Sequence, residues 1–198
     1  MDDCFAVFEL PRKLVIDAED LRQRFYALSR RHHPDFHHGG PADAQAAALA
    51  RSARINRAYR ALRDPLGRVE HLIAVEEGRE VRDASAGRPA APRELLEEML
   101  EVQEALEEAR GDGLGPATRA RLEDERQRLL ARQAAEEAAI LGRAPEWDAA
   151  VDGGGDRPTL LGWFKQRLAA RAYLRTVIDD LTDALGEARD EHGAHRRH

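Results

Sequence analysis

His33-Pro34-Asp35 is the tripeptide best suited to touch a partner, because it sits between two helix-like segments with a proline to hold its shape. Proline restricts the residue before it and helps end the preceding helix, so His33 and Asp35 would project as a polar pair from a fixed hairpin tip. His32, His33, His37 and His38 crowd the same place. No cysteine or spaced acidic triad completes a ligand set there, so no metal site is assigned. His192, His195 and His198 lie in a short polar tail and are not assigned to a metal either. Asp152-Gly153-Gly154-Gly155-Asp156 lacks the glycine-lysine-serine/threonine ending of a phosphate loop and reads as a flexible helix–helix connection. The chain shows no nucleophile elbow and no base–nucleophile pair. Its carboxylates lie on helices among arginines, which is the pattern of a solvated face. Catalytic residues, cofactor and metal are therefore all read as none.

The elements that must hold the tip are helices. Asp17 to Arg31 carries Leu21, Phe25 and Leu28 at i, i+4, i+7, with Asp17 as cap and Asp20 in the first turn. Pro41 to Leu62 carries Leu49, Ile55, Tyr59 and Leu62 toward one side. Cys4 to Phe8 is a short apolar start, read as a helix in keeping with the rest. Arg63-Asp64-Pro65 breaks the chain, and Leu66, Val69, Leu72 and Ile73 describe a fourth short helix. These residues, 1–75, make one small domain. Residues 76–92, with Gly78, Gly87, Pro89 and Pro92, form a connector. Residues 93–186 hold three longer helices. The first is Arg93 to Arg110, stopped by a glycine-rich cluster. The second is Ala117 to Leu141, stopped by Gly142 and Pro145. The third is Thr159 to Leu185, ended by Gly186. Residues 187–198 read as a disordered polar tail. The predicted fold class is all-α: an N-terminal helical hairpin and a C-terminal antiparallel three-helix bundle in an L-shaped arrangement.

Composition narrows the function classes. The 198 residues carry a formal charge of −6, which argues against nonspecific nucleic-acid binding. The one cysteine, Cys4, cannot make an internal disulfide, in keeping with a reducing cytoplasmic setting. No apolar run approaches a bilayer's thickness, and the acidic start lacks the order of a secretory signal. The expected protein is monomeric, with neither membrane nor nucleic acid among its partners.

Residues 1–75 resemble a J-domain, the co-chaperone module that stimulates DnaK-type ATPases. The likeness rests on basic Arg30-Arg31, His33-Pro34-Asp35 with Phe36, and the run Ile55-Asn56-Arg57-Ala58-Tyr59-Arg60-Ala61-Leu62 leading into Arg63-Asp64-Pro65. The whole chain resembles the HscB family of iron–sulfur assembly co-chaperones. Phe5 to Pro11 is similar to that family's opening, Arg63 to Leu72 to its junction, and Leu96 to Leu106 to its scaffold-binding helix. The paired cysteines of the zinc-binding extension found in some members are absent, and no glycine–phenylalanine region follows residue 75.

The resemblance implies a non-enzymatic adaptor that stimulates an HscA- or DnaK-type chaperone ATPase while binding an IscU-like scaffold. His33, Pro34 and Asp35 would contact the chaperone, with Arg22, Arg24, Arg30 and Arg31 steering it. Leu96, Leu100, Glu101 and Glu104 match scaffold-contact positions, beside a core stripe of Leu95, Met99, Val102 and Leu106. Tyr173 matches an aromatic position near that surface and is expected to be partly exposed, just off the core stripe of Leu174, Ile178, Leu181 and Leu185. Two other readings fit the residues: a J-protein serving a different client, and a helical module that oligomerises through Leu96 and Leu100.

Overall fold

Local capping dictates where the N-terminal helices begin in the computed structural model, which describes residues 2–32, 42–78, 100, 102–104, 106, 107 and 115–194. Asp3 accepts hydrogen bonds from the amides of Phe5 and Ala6 and starts α1, Cys4–Val7. Asp17 does the same for Glu19 and Asp20 at the head of α2, Ala18–Arg31, where Glu19 and Asp20 suit the positive end of the helix. The long helix α3 spans Ala42–Arg63. Asp64 caps α4, Pro65–Glu76, through the amide of Gly67 at 2.6 Å, with the proline in the first turn. Helix α3 is the hub: α1, α2 and α4 all pack against it. Ala48, Ile55, Ala58 and Leu62 of α3 are buried, as are Phe5, Phe8, Leu21, Val69, Leu72 and Ile73. Phe25 of α2 stacks on Tyr59 of α3 with ring centroids 4.2 Å apart, closing the hairpin side to side.

Helix α5 runs over Pro116–Gly142, α6 over Ala144–Gly153 and α7 over Arg157–Ala194. No strand occurs among the described residues. Helix α6 falls where the sequence reads as a helix stop followed by a loop. Pro145 lies in its first turn, where a missing amide costs nothing, so that proline opens a helix as well as closing one. The glycines after it form a structured turn. Gly154 takes the left-handed conformation at φ 75° and donates its amide to Ala150, a C-cap that glycine adopts without steric cost. Asp156 then accepts from the amide of Thr159 and caps the first turn of α7. The expected flexible loop is thus a capped helix–helix turn.

The chain divides into two compact units: Met1–Ala86 with Leu141–Phe164, and Gly87–Ile140 with Lys165–His198. Residues 93–186 read as one uninterrupted module in the sequence, whereas Leu141–Phe164 compacts with the N-terminal helices. Side chains on α6 explain this placement. Trp147 is fully buried and donates from Nε1 to the carbonyl of Arg12 at 2.8 Å. Asp148 accepts from the amides of Leu14 and Val15 at 2.6 and 3.0 Å, and Lys13 pairs with Asp152 at 2.7 Å. The buried Arg68 of α4 also donates to the carbonyls of Leu14 and Leu62. Residues 12–15 therefore form a strap whose backbone groups are satisfied by α4 and α6 together.

The second unit has its own core. Val102 and Leu106 pack with Leu122 and Leu129 of α5 and with Ala170, Tyr173, Leu174, Val177, Ile178, Leu181 and Leu185 of α7. Glu136 pairs with Arg167 at 3.1 Å and Glu137 with Arg171 at 2.6 Å, joining α5 to α7. Helix α7 continues through Gly186 to Ala194, over part of the expected disordered tail. Glycine lowers helix propensity by about 1 kcal/mol but lacks proline's steric block, so the hydrogen-bond ladder passes through it.

Candidate functional site: a basic helical hairpin and an exposed leucine

Of the residues expected to meet a chaperone, His33, Pro34 and Asp35 lie outside the described residues. The four arginines of α2 fall into three different settings. Arg22 is exposed and pairs with Glu19 at 2.6 Å, an interaction that holds the Glu19 carboxyl below its ordinary range. Arg24 pairs with Asp20 at 2.9 Å and also donates to the carbonyl of Phe8 at 3.0 Å. Arg24 therefore ties α2 to the end of α1, and the free steering charge expected of it is engaged in the fold. Arg30 and Arg31 are exposed in the last turn of α2, where the helix dipole favours cations. Tyr26 projects from the same helix with 58% of its surface exposed.

The expected scaffold surface divides likewise. Leu96 and Glu101 lie outside the described residues. Leu100 is helical and 59% exposed, whereas Val102 and Leu106 enter the second unit's core. Glu104 is exposed. A helix with Val102 and Leu106 inward leaves Leu100 on a different face, since each residue turns the direction by about 100°. Tyr173 corrects the expectation of a partly exposed aromatic: it is 8% exposed and belongs to the core cluster. Its position one residue before Leu174 keeps it on the buried arc of α7, which is broad because two helices cover it.

Sequence reading missed several polar residues that organise the first unit. His71 is buried, its ring lies 5.7 Å from that of Phe5, and its Nε2 accepts the amide of Cys4 at 2.9 Å. Burial holds this imidazole below its ordinary value, with the proton on Nδ1. Burial likewise lowers the affinity of Arg68 for its proton, while Asp148 and Asp64 act in the opposite sense. Burial, then Asp3 and Asp2, push the Cys4 thiol up to about 11, which leaves it unreactive near neutral pH. The spacing of Ala144, Trp147 and Ala150 is the one sequence signal for α6, three buried residues at intervals of three. Nothing local marks Asp148 or His71, whose partners lie 133–134 and 67 residues away in the chain, and Arg68 joins the carbonyl of Leu62, six residues off, to that of Leu14, 54 residues off.

No protein-family model matches the chain. Solved structures do. The chaperone HscB from Vibrio cholerae is 24% identical, with a TM-score of 0.54 over 96% of this chain and 99% of that one. The human co-chaperone protein HscB is 21% identical, with a TM-score of 0.61 over 92% of this chain and 81% of that one. The fold is that of these all-helical proteins.

Proposed function

We propose that this protein is a co-chaperone adaptor in iron–sulfur cluster assembly. Its N-terminal hairpin engages an HscA- or DnaK-type chaperone ATPase, and Leu96 and Leu100 bind an IscU-like scaffold. The observation that carries the reading is the exposed Leu100, on the segment whose Val102 and Leu106 are buried. A leucine turned outward beside Glu104 offers apolar area with an acidic border, suited to an apolar pocket with a basic rim. In the sequence Leu96 stands four residues before Leu100, the spacing that the family resemblance assigns to the scaffold contact. The shared fold and the His33-Pro34-Asp35 signature support the chaperone half.

The protein performs no chemistry of its own in this reading. His33 and Asp35 bind the hydrolysis-ready conformation of the ATPase more tightly than its alternative, and that difference shifts the population. Tethering a scaffold to the same chain raises its effective concentration near the chaperone. The adaptor works as a cytoplasmic monomer without metal or nucleotide of its own. Single-turnover ATP hydrolysis by the chaperone tests the first half: folded His33→Gln protein should give no stimulation. Calorimetry with the purified scaffold tests the second: Leu96→Ala/Leu100→Ala should weaken binding while helicity stays constant. Undiminished stimulation and undiminished affinity in these variants would remove both assignments.

A further inference from the structure

Helix α3 carries five arginines, Arg51, Arg54, Arg57, Arg60 and Arg63, at every third position against one aspartate, Asp43. All five are exposed. On other helices several arginines pair with an acid of their own helix. Arg22 and Arg24 pair with Glu19 and Asp20 on α2, Arg128 with Asp124 on α5, and Arg175 with Asp179 on α7. Helix α3 shows no such pair among the described residues. Arg54 and Arg57 reach Asp2 at 3.2 and 3.8 Å, the second of these loose. Arg60 donates to the carbonyl of Asn56 in its own helix, and Arg63 lies over the Tyr59 ring at 6.0 Å. Like charges three residues apart destabilise a helix. The helix dipole compensates only in the last turn, which holds Arg60 and Arg63 and excludes Arg51, Arg54 and Arg57. A protein with a net charge of −6 thus winds five self-repelling arginines around one helix, of which Arg57, Arg60 and Arg63 share an arc of about 120°.

We propose that Arg57, Arg60 and Arg63 form a second docking surface for the chaperone ATPase, receiving an acidic patch on that partner. The inference rests on the co-chaperone reading and adds to it a contact away from the tip. Residues 57–63 lie roughly 22–32 Å along the helix axis from Ala42. A single protein interface spans such a length. Arginine suits the task because its planar fork meets carboxylates bidentately. The α3 row supplies affinity and encounter rate, and the tip supplies the conformational preference.

The experiment measures chaperone ATP turnover against the concentration of full-length protein, at low and high salt, with the DnaK-type chaperone of the same organism. The variant Arg57→Ala/Arg60→Ala/Arg63→Ala should raise the half-stimulating concentration about tenfold at low salt and leave maximal stimulation unchanged. That shift should shrink at high salt as the charges are screened. The triple lysine variant should recover part of the loss, since it restores the charge without the bidentate fork. Circular dichroism melts should be no lower than those of the unaltered protein, since alanine favours helix and the repulsion is relieved. His33→Gln should instead abolish maximal stimulation. Loss in His33→Gln with an unshifted alanine variant overturns the arginine row and leaves the tip standing. Full stimulation by both overturns the row and the co-chaperone reading together. Preferential binding of a single-stranded oligonucleotide over the chaperone, measured by anisotropy, overturns the row as well.

Discussion

Replacing Trp147 by alanine is the sharpest test of how α6 supports the N-terminal helices. The indole is fully buried and its Nε1 holds the Arg12 carbonyl at 2.8 Å. An aromatic side chain of this size buries about 200 Å², worth up to ~5 kcal/mol by area. Truncation of buried tryptophan to alanine costs about 3–5 kcal/mol, because the cavity only partly collapses. The lost hydrogen bond adds about 1 kcal/mol at most, since the half-buried carbonyl can take up water. A fall of roughly 4 kcal/mol corresponds to a Tm lower by ~8–16 °C for a chain of this length. Trp163 provides the comparison: it is half-buried, faces the Arg143 guanidinium at 4.6 Å, and should cost only about 1 kcal/mol when truncated. Urea unfolding followed by circular dichroism gives the two values. Hydrogen exchange at the amides of Leu14 and Val15 reports whether the strap has opened. A Trp147→Ala loss no larger than that of Trp163→Ala would refute the anchoring of residues 12–15 by α6.

Three further outcomes follow from single contacts. His71 must be neutral to accept the Cys4 amide, and burial depresses its affinity for protons. The unfolded chain therefore binds a proton that the folded one refuses once the pH drops below about 6.5. Its contribution to stability is complete above that value and is lost as the pH falls toward the lower folded value. Urea midpoints at several pH values should show a shallower acid slope for His71→Gln, and equal slopes would contradict the assignment. Leu100→Ala should change stability by less than about 0.5 kcal/mol, whereas Leu106→Ala should cost about 2–5 kcal/mol; paired chemical denaturation checks the contrast. Gly154→Ala, forced into the left-handed region at φ 75°, should cost roughly 1–2 kcal/mol, read from thermal melts.

Short-range physics made much of this protein legible in its amino-acid order. Asp17 caps a helix within three residues of itself, and Pro65 opens α4 just after the break at Arg63-Asp64. The turn of Val102 and Leu106 inward also follows from periodicity, because a helix repeats every 3.6 residues whatever it packs against. Pro145, Gly154 and Gly186 were ambiguous for a physical reason. A proline can begin or end a helix, and a glycine can cap a helix or sit inside one, depending on what the neighbouring segment buries. Only the tertiary structure decided that Trp147 and Asp148 draw α6 onto residues 12–15, joining segments more than a hundred residues apart. It alone decided that Arg24 serves the α1–α2 junction and that Tyr173 is core. Burial and long-range pairing are properties of the packed surfaces of several elements at once. A helix's own sequence therefore states which face is apolar, and only packing states how much of that face is covered.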